Sequence, residues 1–128
     1  MATPKSNECD AWPPLSADEI ATKMNEIVMW KIEAKGQPPK LIREFVCKNF
    51  QSCLDFVALA GACAEERGHH PDLLIHGYRN IKITIYSHGL QALTDNDFNL
   101  AKAIDTIQVN YSPKFYKEHP ECDGTKIP

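Results

Sequence analysis

An α+β fold is what this chain predicts: a four-stranded antiparallel sheet with helices packed on one face, in the order αββαββα. Three observations lead there. Ile81, Ile83 and Ile85 alternate with Lys82, Thr84 and Tyr86, the two-residue period of a strand buried on one side. Residues 50–64 and 94–107 instead place apolar side chains every three or four positions, the period of helices with one buried face. The strand segments come as two hairpins separated by a helix, and hairpins build antiparallel sheets that helices can cover on one side.

Residues 1–14 hold three prolines and little periodicity, and are expected to form a flexible arm. One domain is expected over 15–111. Ser16-Ala17-Asp18-Glu19 is a capping-box start, and Ile20, Met24, Ile27 and Val28 follow at helical spacing, so a first helix is predicted from Ala17 to Ile27. Trp30-Lys31-Ile32-Glu33 reads as a short strand, Lys35 to Pro39 as a turn, and Leu41 to Lys48 as the second strand of a hairpin. Asn49 can cap the second helix. Its stripe is Phe50, Cys53, Leu54, Val57, Ala58, Gly61 and Ala64, and Gly68 suits its left-handed end. Leu73 to His76 and the isoleucine strand form the second hairpin. Thr94-Asp95-Asn96-Asp97 opens the third helix, whose apolar face is Phe98, Ala101, Ile104 and Ile107. Residues 112–128, with prolines and mixed charges, are expected to be a loosely held tail.

The bulk numbers exclude several classes. The chain has 128 residues, enough for one modest core, with 43% hydrophobic and 24% charged residues. Its net charge is −3 and no run of Lys or Arg stands out, which argues against direct nucleic-acid binding. The longest apolar stretch, Phe56 to Ala64, is too short to cross a bilayer. Met1 to Asp10 is polar and lacks the apolar centre of a secretory signal. Five cysteines, with no C-x-x-C pair, fit a reducing compartment, cytoplasm or nucleus.

The chemistry concentrates in Glu65-Glu66-Arg67-Gly68-His69-His70-Pro71-Asp72, where two adjacent histidines emerge as the second helix stops. His88 stands at the end of the strongest strand, and Asp97 follows in the third helix start. Histidine titrates near neutral pH, so two or three beside carboxylates can supply a proton donor and a proton acceptor at once. Each residue also has a plainer explanation. The pair could be a polar loop, His88 a solvated strand end, Asp97 a capping residue, and Trp30 a core or rim side chain. A metal site built from these histidines with Glu65, Asp72 or Asp97 is the main chemical competitor. Against it, the sequence has neither H-E-x-x-H nor a Cys/His finger. There is no G-x-S-x-G elbow and no glycine-rich phosphate loop.

Taken together, Glu65-x-x-x-His69-His70-Pro71, Tyr78, His88 and Asp97 resemble the pterin-4a-carbinolamine dehydratase family. The resemblance extends to Trp30, Lys48-Asn49-Phe50, Ile81 to Ile85 before Ser87-His88, and Leu93 to Asp97, over about residues 15 to 110. It implies an antiparallel sheet with helices on one face. It also implies removal of water from a 4a-hydroxytetrahydropterin to give quinonoid dihydropterin, which recycles the cofactor of aromatic amino acid hydroxylases. By the family pattern His69, His70 and His88 are catalytic: His69 and His88 transfer protons and His70 holds the pterin. Glu65 and Asp97 orient ring and histidine, and Trp30 and Ser87 line the pocket. No metal and no other cofactor is implied. Gly68 stands where an acidic residue is often found, Leu73 or Leu74 where an aromatic is, and Asn96 where a basic residue is. The stretch from Pro71 to Tyr78 is one residue longer than in animal members. These departures touch the pocket edge and stereochemical preference rather than the histidines.

The resemblance also implies a homo-oligomer, dimer or tetramer. It further admits a second class of function, a non-catalytic module that binds a helical partner such as a homeodomain transcription factor. That module would use the third-helix face through Phe98 and Ile104.

Overall fold

The computed structural model describes residues 12–35, 39–87, 89 and 92–127. Its elements are α1 (Ala17–Met24), β1 (Lys31–Glu33), β2 (Lys40–Val46), α2 (Phe50–Arg67), β3 (Asp72–His76), β4 (Asn80–Ile85), α3 (Asp95–Ile104) and α4 (Pro113–Glu118), followed by a short 3-10 turn, Pro120–Cys122. The four strands form one antiparallel sheet in the order β1-β2-β4-β3. This is the expected fold class, with one helix beyond the expected order.

Alternation decides which side of the sheet is covered. Leu41, Arg43 and Phe45 of β2 pair with Ile85, Ile83 and Ile81 of β4, and all six are buried. Cys53, Phe56 and Ala60 of α2 and Phe98, Ala101 and Ile104 of α3 complete the core against them. Phe45 and Phe56 meet edge-on, with ring centroids 4.9 Å apart. Each buried Phe, Leu or Ile contributes roughly 1.5–3 kcal/mol by leaving water.

Helix ends follow local chemistry. The Ser16 amide donates to Glu19 Oε1 at 2.9 Å and the Glu19 amide to Ser16 Oγ at 3.1 Å, closing the expected capping box. α1 stops at Met24 rather than Ile27; a tight turn follows and buries Ile27. Asn49 Oδ1 accepts from the Ser52 amide and starts α2. Gly68, at φ 67°, ends it in the left-handed region, where a side chain would be strained. β2 ends at Val46 rather than Lys48. Its continuation pairs with another partner: Cys47 bridges Tyr111 and the Lys48 amide donates to the Asn110 carbonyl.

Three expectations are corrected. Residues from Ser112 do not trail loosely. Ser112 caps α4 with Pro113 at its first turn, Cys122 is buried, and the Val109 amide donates to the Thr125 carbonyl at 2.7 Å. Pro113 and Pro120 sit at the starts of α4 and of the 3-10 turn, where a missing N–H costs nothing. Near the other terminus the arm proposed for 1–14 lies outside the described residues up to residue 11. Trp12 is buried, however, and Pro14 bridges Thr94, so its last residues are held by the domain. Phe98 and Ile104 cannot serve a partner helix, because both face the core. α2 instead leaves Phe50, Leu54 and Leu59 exposed, and Val28, Leu74 and Tyr78 are exposed elsewhere on the domain.

Candidate active site

The end of α2 places two histidines in unlike surroundings. Gly68 turns the chain, and the His69 amide donates back to the Ala64 carbonyl. The His69 side chain then goes inward, where it is 4% exposed, and its Nε2 lies 2.7 Å from Asp97 Oδ1. His70 stays at the surface, 59% exposed, with Nε2 3.1 Å from Glu65 Oε1 one turn back on α2. One imidazole is therefore fixed by a buried carboxylate and the other rests against a solvated one.

Asp97 is fully buried at the start of α3. Besides His69 it accepts from Ser87 Oγ at 2.8 Å, from the Thr94 amide at 2.8 Å and from Thr94 Oγ1 at 3.3 Å, all three on Oδ2. One side chain thus makes both the N-cap bond read from the sequence and the bond to His69. The cluster thus joins the end of α2, the segment after β4 and the start of α3.

Of the residues expected at the site, the structure brings together His69, Ser87 and Asp97, with His70 and Glu65 paired beside them in sequence. His88 lies outside the described residues. Trp30 takes the core position that was its plainer reading. It is buried, and its Nε1–H donates to both Asp105 oxygens, at 2.9 and 3.1 Å. Asp105 also accepts from the buried Arg43 at 2.9 Å, and Arg43 donates to the Tyr111 hydroxyl at 2.8 Å. Burial raises the Asp105 carboxyl above its ordinary range, a shift that Arg43 and the Trp30 N–H oppose. The same burial lifts the Tyr111 hydroxyl to about 12. Sequence reasoning missed this network, and it also missed Thr94 as a partner of the site; the cap pattern Thr94-x-x-Asp97 was the available signal.

Among the described residues, no group of three or more His, Cys, Asp or Glu side chains is placed to hold a metal ion. No helix among them is long and apolar enough to cross a membrane. A cavity of about 310 Å³ opens on the other face of the sheet, between Ile42 and Val46 of β2 and Phe115 and His119 near the C-terminus. It shares no residue with the His69–Asp97 cluster.

Residues 13–107 match the family model described as pterin 4 alpha carbinolamine dehydratase. The chain belongs to this family. Membership places it among hydro-lyases. Pterin-4-alpha-carbinolamine dehydratase 2, mitochondrial, of Arabidopsis thaliana is 34% identical over 111 residues, which cover 85% of this chain and 59% of that protein. A protein of Alkaliphilus metalliredigens that bears the same dehydratase name provisionally is 37% identical over 97 residues, 75% of this chain and 84% of its own length. Among solved structures, the transcriptional coactivator/pterin dehydratase of Brucella melitensis superposes with a TM-score of 0.66 at 23% identity, over 73% of this chain and 97% of that one. That likeness bears on the fold. α4 and the turn after it lie beyond the segment that the dehydratase family model matches.

Proposed function

We propose that this chain dehydrates 4a-hydroxytetrahydropterin to quinonoid dihydropterin by histidine acid/base catalysis, and so recycles the tetrahydropterin of aromatic amino acid hydroxylases. The observation that carries the reading is the buried His69–Asp97 pair, 2.7 Å apart, one residue from the exposed His70–Glu65 pair. The reaction needs two proton movements. A pterin ring nitrogen must lose its proton so that its lone pair can expel the hydroxyl, and that hydroxyl must gain one to leave as water. Histidines do both near neutral pH, each transfer typically contributing about 10²- to 10⁴-fold. In this reading His69 and His88 exchange protons with the substrate, and Asp97 orients His69. His70 holds the pterin, and Glu65 accepts from the amino-pyrimidinone edge of the ring.

The rate of loss of freshly generated 4a-hydroxytetrahydropterin, followed by absorbance, tests this. Wild type should accelerate the reaction, ignore excess chelator, and lose most of its rate in His69→Ala and in His88→Ala. Loss of rate with chelator would favour a metal site instead, and no acceleration over the spontaneous reaction would end the dehydratase reading.

A second reading has one observation in its favour. Phe50, Leu54 and Leu59 leave apolar surface on α2. A homo-oligomer, dimer or tetramer, or a helical protein partner would cover it. Light scattering of the chain alone, and of a Leu54→Glu/Leu59→Glu variant, tests the oligomer: a monomeric wild type would remove it. A cytoplasmic or nuclear location belongs to this proposal as well.

A further inference from the structure

Asp97 has more hydrogen-bond donors than its capping role requires. The Thr94 amide on Oδ2 is the ordinary bond between a third-position carboxylate and the N-cap backbone. The Ser87 bond is not of that kind. Ser87 lies beyond the end of β4, ten residues before Asp97, and its hydroxyl reaches Oδ2 at 2.8 Å. Ser87, Thr94 and Asp97 are all buried, so the Ser87 hydroxyl is a partner of the carboxylate rather than a lining of the substrate pocket.

The arrangement of donors settles the atoms. Oδ2 accepts from Ser87 Oγ, from the Thr94 amide and, more weakly, from Thr94 Oγ1, so that oxygen and the plane of the carboxylate are pinned. Oδ1 is left pointing at His69 Nε2. An ionised carboxylate only accepts, so Nε2 carries the hydrogen and Nδ1 carries the lone pair of the neutral ring. In a buried site such a chain of hydrogen bonds is stronger than in water and holds its geometry.

We propose that Ser87 and Thr94 are positioning residues that act on His69 through Asp97, and that Nδ1 of His69 is the nitrogen that exchanges the proton with substrate. The assignment of Nδ1 to proton exchange rests on the dehydratase reading; the clamp itself does not.

The test is nitrogen-15 NMR of the His69 ring, at a pH where it is neutral, in wild type, Ser87→Ala and Ser87→Thr, with dehydration rates measured on the same samples. Wild type should show the Nε2–H form. Ser87→Ala should shift the ring toward a mixture of forms and lower kcat roughly ten- to a hundredfold, the range for removing the outer partner of a working histidine. KM should change little, since Ser87 does not touch substrate. Ser87→Thr, which keeps the hydroxyl, should restore both readings. An Nδ1–H ring in wild type, which requires no variant to fold, would overturn the proposal. So would a fall in kcat in Ser87→Ala with the ring form unchanged, which would make Ser87 merely structural. If wild type has the Nε2–H form and Ser87→Ala disturbs it, but no dehydration is seen, the clamp is supported and the proposed reaction is what fails.

Discussion

Single atoms decide how the site responds to substitution. Asp97→Asn keeps size and shape but puts an amide in place of the carboxylate. Three donors converge on Oδ2, so the amide oxygen must sit there and the NH₂ must face His69 Nε2. That forces the other ring form on the histidine. The expected loss in kcat is about 10²- to 10⁴-fold, the scale set by the same substitution beside a catalytic histidine in serine proteases. Initial rates check it, and a loss of less than tenfold would refute the orienting role. Glu65 and His70 behave differently, because both are solvated. Such an exposed contact contributes little to stability. Glu65→Gln should leave the melting temperature nearly unchanged in a calorimetric scan and, if Glu65 holds the pterin ring, raise KM.

Helix termini are the elements that build the site. α2 delivers His69 only because Gly68 reverses the chain at φ 67°. Gly68→Ala should cost about 1 kcal/mol in urea unfolding, the usual penalty for a side chain in the left-handed region. It should lower activity by more than that loss of stability explains, since the His69 side chain would no longer meet Asp97 squarely. Two elements at the C-terminus have a different task. α4 and the turn after it return the chain to Val109, and Tyr111 carries the connection inward to Arg43. Phe115 and Tyr116 each stack against Tyr111.

The buried ions act on the whole molecule. Arg43, 1% exposed, holds Asp105 and Tyr111 at once and joins β2, the end of α3 and the C-terminal segment. Arg43→Ala would leave the partly buried Asp105 without its cation, and should cost up to about 3 kcal/mol. The double variant Arg43→Met/Asp105→Asn should recover much of that loss, because no unpaired charge remains and the amide can still accept from Trp30. Urea unfolding of both variants decides the point. Alkaline pH probes the same network. Burial raises the Tyr111 hydroxyl from its ordinary value near 10 to about 12, against the pull of Arg43. The folded value lies above the unfolded one, so the neutral phenol stabilises the fold fully below about pH 10, and that contribution is lost as pH rises through about 12. The loss should reach at most about 3 kcal/mol. Tyr111→Phe should show a flatter stability profile over that range.

Much of this protein was legible without coordinates, for reasons of local physics. Period-two alternation at Ile81, Ile83 and Ile85 determines which face of β4 is buried, and the Ser16, Asn49 and Gly68 signals set helix ends through bonds to residues three or four positions away. The spacing of Glu65, His69, His70, His88 and Asp97 was enough to indicate the family. What needed the tertiary structure is every choice between partners distant in sequence. Nothing local separates His69 from His70; only the packing of α2 against α3 brings one of them to Asp97 and leaves the other in solvent. Trp30 could be read as core or as pocket lining, and nothing in the sequence pointed to Asp105, 75 positions away, as the partner of its N–H. The C-terminal segment looked loose because the anchors of residues 110–112, Lys48, Arg43 and Val46, become their neighbours only once the sheet has formed. Short-range periodicity and capping are written along the chain. Hydrogen bonds that close large loops are selected by the fold, which alone sets the two ends at bonding distance.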